Sequence, residues 1–177
     1  PAIVIAVGCW FYSTELIGML YHEHIEQSSK VFALLMTCFA AISTTYIFGT
    51  LLTANGNLRE LNLMAASGIL INIVLNLFLI PKFQAAGSAV SSLATQFLTA
   101  LIQVFIAQSI FKFRINYRLI LTLIVFLAGV VLINYFSKLL HPNWMVNFVV
   151  MVGACGAWAF AIRLLNIKSM VRILKYG

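Results

Sequence analysis

The sequence predicts an all-α polytopic membrane protein with six transmembrane helices, and three observations carry that prediction. Hydrophobic residues fill 63% of the 177 positions and charged residues only 8%, against roughly 45–50% and about 25% in an average soluble domain. The apolar residues are gathered into long runs separated by short polar or turn-forming clusters. The 11 Lys and Arg residues, set against 4 acids for a net charge of +7, fall almost entirely in those clusters or at the tail. A water-soluble globule, a coiled coil, a collagen-like chain, a disulfide scaffold and a disordered tail are all excluded by this composition.

About 20 apolar residues cross roughly 30 Å of hydrocarbon, and six runs are long enough: 2–21, 30–54, 61–80, 85–111, 117–137 and 144–165. The first run opens on Pro1 without a basic leader, so it reads as a span and not as a signal peptide. With no initiator Met, the chain reads as a fragment of a longer protein. Glu15 is the one acid inside an apolar run. It is a candidate for ion coupling, because a carboxylate at membrane depth is costly unless it faces a cavity or carries a proton. It could equally snorkel to the headgroups or pair with Lys30.

His22, Glu23, His24 and Glu26 make a polar turn after the first run. The two His are two residues apart, whereas a helical zinc site favours four, so a solvated loop is expected and no metal site. In the second run Thr37, Ser43, Thr44, Thr45, Thr50 and Thr53 can bond either to their own backbone or across helices. The third carries Asn72 and Asn76 on one face, just ahead of Ile80-Pro81. The fourth is the most patterned: Gly87, Ser91, Thr95 and Thr99 recur every four residues, a ridge of small side chains that lets another helix approach closely. Ser92, Gln96, Thr99 and Gln103 form a second stripe along the same helix. These amides either glue helices together or line a water-filled cavity.

The fifth run is plain apart from Asn134. The sixth carries Asn147 and a helix-contact spacing at Gly153, Ala157 and Ala161. Polarity is thus concentrated in the second to fourth runs, and the last two look peripheral. Residues 1–111, 112–165 and 166–177 accordingly form a four-helix portion, a peripheral pair and a cytoplasmic tail. In the tail Lys168, Arg172 and Lys175 share one helical face and Ile167, Met170, Val171 and Leu174 another, as in an interfacial helix on an anionic leaflet.

Positive charge orients the chain. Arg59, then Lys112, Arg114 and Arg118, then Arg163, Lys168, Arg172 and Lys175 lie on one side; only Lys30, Lys82 and Lys138 lie on the other. Both ends of the segment are therefore expected in the cytoplasm. This use of basic residues also removes nucleic acid as an expected partner. Cys9, Cys38 and Cys155 lie singly in apolar runs, with no disulfide or metal spacing.

The stretch from Gly49 to Gln96 resembles the polysaccharide-flippase branch of the multidrug/oligosaccharidyl-lipid/polysaccharide exporter superfamily. The resemblance rests on Ala54-Asn55-Gly56-Asn57 followed by a basic residue, on Asn72 and Asn76, on the turn Leu79-Ile80-Pro81-Lys82, and on Ala86-Gly87-Ser88-Ala89. Glu15 to Tyr21 fits the outer end of the preceding family helix. One departure is Phe83-Gln84, where the family usually has an aromatic followed by Gly.

The resemblance implies fourteen helices in two six-helix bundles plus a terminal pair, with this chain as the last six. It implies flipping of a polyprenyl-pyrophosphate-linked glycan, such as an O-antigen unit of lipopolysaccharide, across the cell inner membrane by alternating access. The expected partners are that glycan lipid, membrane lipid and the missing N-terminal half of the same protein. No catalytic residue and no cofactor are expected. The groove candidates are Asn72, Asn76, Ser92, Gln96, Thr99 and Gln103, with Gly87, Ser91 and Thr95 as packing residues. A multidrug cation antiporter of the same superfamily is the alternative, and a membrane glycosyltransferase or polymerase is the enzymatic one.

Overall fold

A computed structural model describes residues 1–113, 116–162 and 164, and the described residues are helical with no strand. They form α1 (Ala2–Phe11), α2 (Ser13–Leu20), α3 (Ile25–Ala54), α4 (Leu58–Phe111), α5 (Tyr117–Ser137) and α6 (Trp144–Ala161). Two compact units divide the chain, Pro1–Arg114 and Ile115–Gly177. The tail that the sequence marks as interfacial lies outside the described residues.

Four of these helices are long and apolar enough to cross a membrane, or five when α1 and α2 count as one bent span. Their surfaces are covered with large apolar side chains, among them Leu63, Leu77, Phe78, Ile124 and Val149. In water such a surface would associate; in a bilayer it is the solvated face, so the protein is membrane-embedded.

The first apolar run is not the single straight helix that 2–21 suggests. It bends by 76° between α1 and α2. Tyr12 sits at the break with φ −106° and ψ 18°, its side chain only 1% exposed. The Ser13 hydroxyl donates to the Trp10 carbonyl at 3.2 Å, occupying an acceptor freed where the ladder stops. At eight and ten residues, neither piece alone covers the roughly 30 Å of hydrocarbon at 1.5 Å per residue.

The turn from α3 into α4 follows directly from sequence. Gly56 takes φ 82°, which a Cβ would oppose. Its N–H donates to Thr53 O and that of Asn57 to Leu52 O, each at 3.0 Å. This is a Schellman closure, in which a left-handed residue satisfies the last carbonyls of the helix.

The 54 residues of α4 would reach about 81 Å if straight, far beyond a bilayer. Instead the chain reverses at Gln84, with φ 52° and ψ −127°. Its doubling back is measurable: the Asn72 amide donates to Ser91 Oγ at 3.4 Å and to Thr95 Oγ1 at 3.3 Å, partners that a straight helix would hold about 28 Å or more away. Residues 58–83 and 85–111 are therefore antiparallel arms. Pro81 contributes to the reversal by withholding an N–H near the end of the first arm. The departure at Phe83-Gln84 leaves the tight turn in place: Gln84 adopts a backbone conformation that glycine enters most easily.

In the second unit, α5 and α6 form a hairpin. Asn116 accepts from the N–H groups of Arg118 and Leu119, and Asn143 from that of Met145, capping the two helix starts. The buried stripe of α6 is Asn147, Met151, Cys155 and Ala159. Gly153, Ala157 and Ala161 face outward, so within this unit the expected contact spacing is not the one used. The small residue that meets a neighbour is Gly129 on α5, where a Cβ would overlap the Trp158 indole.

Candidate functional site

The polar residues of the α4 hairpin come together because two sequence patterns fall on facing sides of its arms. On the second arm Gly87, Ser91, Thr95 and Thr99 point across to the first. Gly87 lies against the Leu79 carbonyl so closely that a Cβ would overlap it, and a Cβ at Gly68 would stand 2.9 Å from the Thr99 methyl. Between these close approaches lies a chain of hydrogen bonds. Asn76 donates to Asn72 Oδ1 at 2.8 Å, Asn72 donates to Ser91 and Thr95, Ser91 donates to the Asn72 carbonyl at 3.3 Å, and Thr95 to the Ser91 carbonyl at 2.8 Å.

Asn72 and Asn76 remain half-buried while Ser91 and Thr95 are sealed. The Asn76 side-chain oxygen, Oδ1, is enclosed with no hydrogen-bond partner. In hydrocarbon an acceptor of this kind costs several kcal/mol.

The second stripe divides. Ser92 and Gln96 are half-buried. Thr99 turns its hydroxyl onto its own helix, to Thr95 O at 2.9 Å and Gln96 O at 3.0 Å. Gln103 lines no groove in this conformation: it is 1% exposed and lies against α3. Oriented to match its neighbours, its carboxamide donates to Thr45 O at 3.2 Å and accepts from Gly49 N–H at 2.9 Å. The hydroxyls of α3 serve their own helix, those of Thr37, Ser43, Thr44, Thr45 and Thr50 each bonding the carbonyl four residues back.

Glu15 occupies the first turn of α2, just past the break at Tyr12. It is half-buried, with one carboxylate oxygen enclosed. The Lys30 ammonium is taken by Glu26 at 2.8 Å, one helical turn away. That exposed pair lies in the first turns of α3, and among the described residues no group of three His, Cys, Asp or Glu is arranged to hold a metal.

A separate hollow of about 260 Å³ in the second unit is lined chiefly by Leu132, Phe136, Leu140, Val150 and Met151. Its lining is almost wholly apolar, so it offers nothing to a hydrated ligand. Neither the Gly68 approach nor the Thr45–Gly49 seat of Gln103 was singled out from the sequence. The available signal was a glycine in each of two helices facing a stripe of polar side chains. Comparison with protein-family models, with curated proteins and with solved structures finds no match to this chain.

Proposed function

We propose that this chain is the second-bundle portion and terminal hairpin of a flippase for polyprenyl-pyrophosphate-linked oligosaccharide, working by alternating access in the cytoplasmic membrane. The observation that carries the reading is the set of half-buried amides and hydroxyls, Asn72, Asn76, Ser92 and Gln96, on the two arms of a hairpin whose large exposed side chains are mostly apolar. A hydrated glycan cannot cross hydrocarbon unaided. Amide edges half-open at membrane depth give its hydroxyls donors and acceptors, while the lipid tail stays outside. The resemblance of Gly49 to Gln96 to polysaccharide flippases points the same way. In this reading α1 and α2 form one broken crossing and the arms of α4 form two, giving six crossings with both ends cytoplasmic. The opposite wall of the groove, and the cations that meet the pyrophosphate, belong to an N-terminal half.

Deletion of the gene tests the reading in cells: polyprenyl-linked repeat units should accumulate on the inner face. Unchanged levels of that lipid overturn it. Orientation is tested separately, after the native cysteines are replaced. Cysteine at Asn57 or Asn116 should react with impermeant maleimide only once the membrane is opened, and cysteine at Gln84 should react in intact spheroplasts.

Glu15 beside a broken helix favours a second reading, a proton-linked antiporter for cationic drugs, since such breaks commonly accompany ion sites in transporters. Under it, Glu15→Gln abolishes drug resistance and leaves the glycan lipid undisturbed.

A further inference from the structure

Gln103 takes hold of α3 at an unusual place. Thr45 O and Gly49 N–H are four residues apart, the acceptor and donor of one rung of the α-helical ladder. Both ends of that rung bond the same carboxamide, at 3.2 and 2.9 Å. The seat exists because residue 49 is glycine: a Cβ there would stand 2.8 Å from the end of the Gln103 side chain.

This arrangement has a property the Asn72 network lacks. When an interhelical hydrogen bond breaks inside a membrane, both groups are ordinarily left unsatisfied, at a cost of several kcal/mol. When Gln103 withdraws, Thr45 O and Gly49 N–H can still satisfy each other as an ordinary helical rung. Only the carboxamide needs a new partner. Ser91 and Thr95, by contrast, hold Asn72 through side chains within the same hairpin.

The neighbouring hydroxyls favour movement at the same point. Those of Ser43, Thr44, Thr45 and Thr50 all bond back onto carbonyls of α3, an arrangement that slightly weakens and bends helices. The buried positions on the second arm around Gln103 are the small Ala100 and Ala107, which do not interlock deeply with a neighbour.

We propose that Gln103 is a releasable latch between the second arm of α4 and α3, and that the two helices have a latched and a displaced packing, the Thr45–Gly49 rung of the unbroken α3 being satisfied without Gln103 in the displaced one. The latch rests on the reading of the chain as a transporter only for its purpose; its existence does not require a substrate. Gln103 is thus a positioning residue that sets the balance between two packings.

The test measures that balance directly. Spin labels are placed at Ile47 on α3 and Phe105 on α4, both well exposed, in the protein reconstituted in lipid nanodiscs without substrate. Pulsed dipolar spectroscopy then gives the distribution of distances between them. Wild type should have a major and a minor distance. Gln103→Leu, which keeps the bulk and removes the amide, should shift the ratio toward the minor one by roughly eightfold, the weight of two interhelical hydrogen bonds in a bilayer. Gly49→Ala, which leaves Gln103 intact and fills its seat, should shift the ratio the same way. Asn72→Leu should leave it unchanged.

A single unaltered distance in wild type and both variants overturns the latch and makes Gln103 fixed glue. So does loss of folded protein in both variants without a second distance in wild type. Accumulation of glycan lipid on deletion is independent of these distances, so the latch and the flippase reading fail separately.

Discussion

The α4 hairpin and the α5–α6 hairpin are built on opposite principles. In α4 the arms are tied by side chains that bond across the gap, Asn72 to Ser91 and Thr95, and by backbone brought into contact at Gly87. In α5–α6 the buried amides look inward to their own connections. Asn134 donates to Val130 O on its own helix at 2.8 Å, and Asn147 donates to His141 O in the joining loop at 2.8 Å. Their side-chain oxygens, Oδ1 in each, are enclosed with no hydrogen-bond partner. What joins α5 to α6 is shape, Gly129 receiving the Trp158 ring and Val130, Met151 and Cys155 fully sealed. Polar residues at membrane depth thus do not have a single meaning. Those of α4 set the register of a hairpin, and those of α5–α6 secure helix and loop locally.

The sharpest break of this comparison comes from glycine. Gly87→Leu forces a side chain into the Leu79 carbonyl and should destabilise the protein by about 3 kcal/mol or more. Gly153→Leu in α6, where nothing lies within 4 Å, should stay within about 0.5 kcal/mol. Unfolding of both variants in mixed micelles by SDS titration measures the difference. Equal effects would mean that the Gly87 approach is not a structural contact.

Next in size is the cross-arm network. Asn72→Leu removes two side-chain hydrogen bonds across the arms and one to Asn76 within its own arm, and at ~0.6 kcal/mol for each interhelical bond in a membrane the two cross-arm bonds should cost about 1.2 kcal/mol. The same titration checks it, and a double-mutant cycle with Thr95→Val should show a coupling between the two sites.

At Gln84 the effect should reverse sign. Its φ of 52° suits glycine, so Gln84→Gly should stabilise the hairpin by about 1 kcal/mol, the relieved strain outweighing the added freedom of the unfolded chain. A drop in the midpoint would show that the Gln84 side chain has a task at the turn.

The smallest effect is expected at Asn134. Its side-chain amide donates only to its own helix and its Oδ1 is buried without a partner, so an apolar side chain of similar size should cost little. Asn134→Leu should change stability by less than about 0.5 kcal/mol or raise it slightly. A loss as large as that of Asn72→Leu would erase the contrast between the hairpins.

Sequence alone determined the helical class and the membrane setting, because both depend on the summed transfer free energy of long apolar runs and not on what those runs touch. It also marked the reversal near Pro81 and the Gly56 turn, whose causes lie within a few residues. Two things were decided only by tertiary structure. The first apolar run breaks at Tyr12, since burial of that side chain and the Ser13 bond to Trp10 outweigh a continuous ladder. Gln96 and Gln103 are seven residues apart, almost two full turns, so the pattern assigned them one role. The first is half-buried and the second is seated on the Thr45–Gly49 rung, where Gly49 admits the amide to the backbone; that pairing depends on which residue of α3 arrives opposite, which neither helix encodes alone.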